Sequence, residues 1–159
     1  MKQKILQLVT GLLLVLVTGV FWGTWFALSR TMHELPPEIF ITIGKQIMKN
    51  VAVPMSIIMP LSLAGLLILL IASWKRKSAY FYCILTTLLL FILALIITVA
   101  IEVPIDNQIK DWTVANLPSG WAGIRDRWEF YHTARTFISL AGISFFIVAI
   151  MNRRTESAR

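Results

Sequence analysis

The chain has 159 residues, 57% of them hydrophobic and only 14% charged, which is too apolar for an ordinary soluble domain and suits one small membrane domain spanning residues 1–159. A net charge of +7 raises nucleic acid as a partner, but the way that charge is distributed along the chain argues against it. A single cysteine, Cys83, excludes an intrachain disulfide framework and a dithiol relay, and with only two histidines a structural zinc site is disfavoured.

Taken in order, residues 1–4 form a short basic start. Residues 5–28 are then apolar enough, and long enough, to cross the hydrocarbon core. The run exceeds the apolar region of a signal peptide, so a retained helix is expected rather than one cleaved near residues 27–29. Gly19 and Gly23 form a GxxxG pair, which reads either as a close helix contact or as the ordinary glycine content of a membrane helix. Trp22, Trp25 and Phe26 fall where aromatic rings favour the membrane interface.

Residues 29–50 read as a polar connection broken at Pro36-Pro37, with an interfacial helix over Ile39, Phe40, Ile43, Ile47 and Met48. Residues 51–72 give a second span, kinked by Pro54 and Pro60. A tight basic loop, Trp74-Lys75-Arg76-Lys77, leads into a third span over residues 80–101 that Pro104 is expected to stop. Residues 103–131 form a second long polar connection, residues 132–151 a fourth span, and residues 152–159 a basic tail. No strand pattern, internal repeat or heptad is present in the sequence. The expected architecture is an all-α, four-helix transmembrane bundle, with two long polar connections on the non-cytoplasmic side.

Four spans bring both termini to one side. That side carries Lys2, Lys4, Lys75, Arg76, Lys77, Arg153, Arg154 and Arg159, offset only by Glu156. In the two long connections and the start of the fourth span, basic and acidic residues cancel. The whole net charge therefore lies with the termini, which by the positive-inside rule are cytoplasmic, in a multi-pass cell-membrane protein. The lipid bilayer is the expected partner, and nucleic acid is not.

The segment WAGIRDRWEFYHTARTFIS, residues 121–139, carries most of the functional information. At about 100° per residue, Arg125, Glu129, His132, Thr136 and Ser139 form one stripe. Polar groups that enter a span are costly in lipid and are expected to face the bundle interior. Arg125 and Glu129, four apart, are placed to pair on a helix, whereas Asp126 and Arg127 fall on another side. Two further helices supply polar groups at the same end. Thr18, Trp22, Ser29 and His33 share a face if the first helix continues past Arg30. Thr98 and Glu102 are four apart on the third span, and Glu102 is either a solvated helix-end carboxylate or a functional group, as a partner for Arg135 or His132 or as a base in an apolar setting. Asp106 and Asn107 read as turn-forming residues, and Trp112, Trp121 and Trp128 as a roof over the bundle. His33 and His132 raise axial haem ligation, but local hydrogen bonding explains each histidine more simply.

The run VPIDNQIKDWT…LPSGWAGIRDRWEFYHTART resembles the anthrone oxygenase family of small four-span membrane proteins. The resemblance rests on Val103-Pro104, Asn107, Trp112, Trp121, Arg125, Arg127-Trp128-Glu129, His132 and Arg135-Thr136, with weaker likeness in FWGTWFALSRTMHELP and around Asn50 and Pro54. Where many members have Asn before the Val-Pro pair, this chain has Glu102. The resemblance implies cofactor-free oxidation of an anthrone to an anthraquinone by dioxygen, on a small apolar or aromatic ligand. It implies a base, His132 or Glu129, fixed positive charge from Arg125 or Arg135, and tryptophans that stack on a flat ring. The candidate catalytic residues are therefore His132, Glu129, Arg125, Arg135 and Glu102. The candidate ligand-binding residues are Trp22, His33, Asn107, Trp112, Trp121, Trp128 and Thr136. No metal and no cofactor is implied. The alternative is a non-enzymatic membrane protein whose polar cluster locks the loops or receives a partner. A quinone- or haem-binding electron carrier is the third reading.

Overall fold

The structure, a computed structural model, describes residues 2–75 and 77–157. Arg76 of the expected basic loop and Arg159 of the tail lie outside the described residues, as do the side chains of Arg30, Arg153, Arg154 and Glu156.

Five α-helices are present among the described residues: α1 (Lys2–Ala27), α2 (Pro37–Ser73), α3 (Ala79–Ile97), α4 (Val103–Asp111) and α5 (Trp121–Ser157). Short 3-10 turns cover Ser29–Glu34 and Val114–Asn116, and one π-helical turn, Thr98–Glu102, joins α3 to α4. No strand occurs among the described residues. Four helical stretches, Lys2–Ala27, Pro37–Ser73, Ala79–Asp111 and Trp121–Asn152, are long and apolar enough to cross a membrane. The chain is thus an all-helical, four-span membrane bundle. Its principal contacts form a closed ring, α1 against α2, α2 against α3, α3 against α5 and α5 against α1.

The expected spans are too short at one end of the bundle, opposite the chain termini and here called distal. The 29–50 connection is helical for most of its length, because Pro37 sits at a helix start and the apolar face of Phe40, Ile41 and Met48 is buried against α4. The third span does not stop at Pro104. Proline has no N–H to give and its ring crowds the carbonyl one turn back. The π turn immediately before it widens the helix, so the chain continues to Asp111. Pro54 and Pro60 are likewise accommodated inside α2.

Two apolar clusters fill the bundle. One, around Leu14, Val17, Leu66, Leu69, Ile84 and Phe91, lies toward the termini. The other, around Met32, Phe40, Met48, Ile105, Ile109, Trp112 and Trp128, lies distally. Trp121 packs against this distal cluster, so the three tryptophans do roof the bundle. Between the clusters, Glu102, His132, Arg135, Thr136 and Ser139 are all buried.

Of the two readings of Gly19 and Gly23, the close helix contact is not made within the described chain, since a methyl group at either position would meet open space. It is made at two other glycines. A methyl at Gly142 would come within 2.7 Å of the Phe91 ring, and the Gly142 carbonyl accepts a hydrogen bond from Thr87 at 3.1 Å, joining α3 to α5. A methyl at Gly65 would collide with the Thr10 hydroxyl, where α2 meets α1. A side chain seated this closely on a neighbouring helix leaves no room for a Cβ there.

Candidate functional site

The polar stripe on α5 is divided into two parts that do different things. In the distal part, Arg125 pairs with Asp126 at 2.9 Å rather than with Glu129. Glu129 instead binds His33 Nε2 at 2.5 Å, and His33 Nδ1 lies 3.5 Å from Asp126. The expected Arg125–Glu129 pair fails because the 3-10 turn Ser29–Glu34 folds His33 onto α5, and a tertiary partner displaces the one a turn away. This turn also ends α1 at Ala27, so Thr18, Trp22, Ser29 and His33 do not share a helical face: Ser29 is fully buried, while half of the His33 side chain is exposed. Arg125 further stacks its guanidinium over Trp121, 5.1 Å from the ring centre. The distal part of the stripe therefore fastens the first connection to α5.

In the inner part, His132 and Arg135 form a rigid pair. Arg135 Nε and Nη2 lie 3.2 and 2.8 Å from one nitrogen of His132, Nδ1. A guanidinium has only donors, so Nδ1 must accept and the ring proton resides on Nε2. Arg135 Nη1 also donates to the Thr98 hydroxyl at 3.1 Å, and Nη2 forms an ion pair with Glu102 at 3.0 Å. Its guanidinium sits 4.6 Å from the Phe21 ring centre. Of the readings of Glu102, the solvated helix-end carboxylate is excluded: Glu102 is fully buried and pairs with Arg135. An unpaired charge at such depth is strongly disfavoured, which accounts for the pair being complete.

The π turn has a direct part in this geometry. Thr98 and Glu102 are its first and last residues, and both contact Arg135. The same turn brings Asp106 inward, one helical turn beyond Glu102. Trp128 donates its indole N–H to Asp106 Oδ1 at 3.1 Å and stacks face to face on His132, 4.9 Å between ring centres and 2° from parallel. Asp106, Trp128 and His132 thus form one wall.

That wall faces a cavity of about 370 Å³ between α1, α2 and the α3–α4 helix. Asp106, His132, Arg135, Trp128 and Asn107 all border it, and the remaining lining is mainly apolar: Phe21, Phe40, Ile47, Met32, Met48, Met55, Met59 and Leu95 among others. His132 Nε2 is buried and has no hydrogen-bond partner. With the Phe21 carbonyl of α1 nearby but not in hydrogen-bonding geometry, this N–H is free to donate to a guest in the cavity that His132 borders.

The expected site residues separate accordingly. His132, Arg135, Asn107 and Trp128 line the cavity, and Glu102 stands behind Arg135. His33 and Glu129 pair with each other and Arg125 pairs with Asp126, all outside it. Trp22 is exposed and stacks on Trp25 and Phe26 at the bundle surface. Trp112 is buried in the distal cluster, its carbonyl accepting from Lys45 at 2.7 Å, and Trp121 packs beside Phe40. Thr136 donates to the His132 carbonyl at 2.7 Å, so it braces the helix rather than facing the cavity. His33 and His132 are not arranged as a ligand pair, since His33 is held by carboxylates and His132 Nε2 carries its proton. Asp106, expected in a turn, belongs to a helix, and sequence reasoning passed over the α2 methionines that line the cavity. Their spacing, Met48, Met55 and Met59, was the available signal.

No group of three or more histidine, cysteine, aspartate or glutamate side chains among the described residues is arranged to hold a metal ion. The searches of curated proteins and of solved structures give no match. The model of the anthrone oxygenase family matches residues 46–145, more than half of the chain, and that interval contains Glu102, Asp106, Trp128, His132 and Arg135. With its four apolar spans and this match, the chain belongs to the anthrone oxygenase family.

Proposed function

We propose that the chain is a membrane oxygenase that converts a flat, phenolic or carbonyl-bearing aromatic such as an anthrone to the corresponding quinone, using dioxygen and the substrate's own electrons. One observation carries the reading: His132 Nε2, buried and without a hydrogen-bond partner, and Asp106, linked to His132 through Trp128, border one mainly apolar cavity.

The assignment of roles follows from the hydrogen bonds. Arg135 occupies the only free lone pair of His132, so His132 is a donor and not the base. Asp106 takes the base role, removing a proton from the activated CH2 carbon. The negative charge passes to the ring oxygen, which accepts from His132 Nε2–H and sits in the field of Arg135. The carbanion gives one electron to dioxygen, and radical and superoxide combine to a carbon-bound peroxide. Loss of the second C–H proton with cleavage of the O–O bond leaves a C=O group and one water. Two C–H bonds are consumed for one dioxygen, so no external reductant enters. The Trp128–His132 stack, the methionines and Phe21 offer polarisable faces to an aromatic ring.

The topology belongs to the same reading. With the basic residues of the termini and the α2–α3 turn in the cytoplasm, the cavity lies in the non-cytoplasmic half of a cell-membrane bundle. The test is oxygen uptake on addition of anthrone to the reconstituted chain. Uptake of one dioxygen per anthrone, lost in Asp106→Asn, is the expected result. Uptake no faster than in empty vesicles, by a chain that retains the ligand, removes the proposal.

A further inference from the structure

The cavity has an opening, and its position in the fold specifies where the guest comes from. Two rows of residues border both the cavity and the outer surface. Ala52, Ser56 and Pro60 lie four apart along α2, and Val99, Val103 and Asn107 lie four apart along the facing α3–α4 helix. All six are exposed. On α2 the row covers eight residue steps, or about 12 Å of helix, so the opening is a slit along the α2–α3 seam and not a hole at the bundle's end.

The distal end is closed. Trp112, Trp128, Phe40 and Met32 are buried there, and Trp121 is packed over them. Water-facing access along the bundle axis is therefore blocked by aromatic rings. The rim of the slit is apolar along Val99 and Val103 and along α2 except at Ser56, whose hydroxyl is turned to the Val53 carbonyl at 2.8 Å; it becomes charged at its distal corner, where Lys110 donates to Asn107 at 2.9 Å. The stretches bearing both rows, Pro37–Ser73 and Ala79–Asp111, are membrane-span candidates, so the rim faces lipid chains.

We infer that this slit is a lateral portal, through which a flat aromatic molecule dissolved in the bilayer passes edge-on between α2 and α3 to place its oxygen at His132 Nε2. The small and branched rim side chains suit a thin, rigid guest. A lipid acyl chain also suits the walls, but it has no acceptor and leaves the buried N–H unpaired. A carbonyl or phenol oxygen at the end of a ring system satisfies it. The inference rests on the proposed function only for the guest's chemistry; the route is read from the fold.

The full chain is reconstituted into phosphatidylcholine vesicles containing anthraquinone, and occupancy is followed by native mass spectrometry at timed intervals. Ala52→Phe and Val99→Phe place a ring across the slit without disturbing the core, so both fill about tenfold more slowly than the parent chain. Val53→Phe, on an exposed α2 position that does not border the cavity, fills at the parent rate. Helical circular dichroism and elution volume, unchanged in all three, exclude misfolding as the cause. An anthraquinone sulfonate supplied in water fills none of them. Equal filling of rim variants and parent, filling by the aqueous sulfonate at the rate of the lipid-borne probe, or a bound lipid that anthraquinone does not displace overturns the portal. The portal and the chemistry fail separately. Slow filling of the rim variants, with no oxygen uptake on anthrone, leaves the portal and removes the oxygenase. Normal oxygen uptake by both rim variants does the reverse.

Discussion

Arg135 directs two of its N–H groups at a single nitrogen of His132, 2.8 and 3.2 Å away, and so fixes the histidine proton on the opposite nitrogen. Residues three apart on one helix turn face each other, but this contact also depends on Glu102 and Thr98, which hold the guanidinium from the π turn. The catalytic proposal depends on that tautomer. Nitrogen-resolved NMR of the imidazole is expected to show a protonated Nε2 in the parent chain. In Arg135→Lys the ammonium lacks the planar fork needed to serve His132, Thr98 and Glu102 together. Turnover is expected to fall about 10–100-fold, with the fold intact and the tautomer no longer fixed.

His132→Gln and His132→Ala separate donation from shape. Gln places an amide N–H near the former Nε2 position and retains part of the activity. Ala removes the donor, and kcat is expected to fall about 100–1,000-fold, as for loss of one oxyanion-binding group. Steady-state oxygen uptake at several anthrone concentrations checks this. Equal activity in the two variants would assign His132 to packing.

Glu102→Gln keeps the volume of the side chain and removes its charge. Arg135 is then left buried beside a neutral amide, a change expected to cost about 3–5 kcal/mol of stability. The measurement is the unfolding midpoint in detergent. A midpoint equal to that of the parent would show that Arg135 does not depend on Glu102 for compensation.

The four spans were legible in the sequence because apolar runs of sufficient length have few other uses. Their distal ends were not. Lys45, Lys49 and Asn50 made the helix expected over residues 39–48 look interfacial and separate from the second span, although Phe40, Ile41 and Met48 bury one face of a helix continuous with it. The string Val103-Pro104-Ile105-Asp106-Asn107 contains the usual signals for a helix end and a turn. One π turn cancels both, and Asp106 then projects inward where sequence reasoning put it in a loop. The inner stripe, His132, Arg135, Thr136 and Ser139, was legible from helical periodicity. Its distal partners were not, because His33 reaches Glu129 across nearly a hundred residues of sequence. No local pattern records such a contact.

The glycines offer a packing test that is independent of the chemistry. Gly142→Ala puts a methyl group 2.7 Å from the Phe91 ring and is expected to lower stability by about 1–3 kcal/mol. Gly19→Ala meets open space and leaves stability unchanged or slightly raised, since alanine favours the helix. Unfolding midpoints of the two variants give the comparison. A larger loss at Gly19 would point to an association between copies through α1.

The central claim is that Asp106, which borders the same cavity as His132, removes a carbon-bound proton from a ring held there. It is tested most directly without oxygen, by following deuterium exchange from heavy water into the CH2 carbon of anthrone under anaerobic conditions. The reconstituted parent chain is expected to accelerate exchange, and Asp106→Asn to reduce that acceleration by about 100-fold or more while still binding the ligand. Exchange at the same rate in the parent chain, in Asp106→Asn and in empty vesicles would contradict the account.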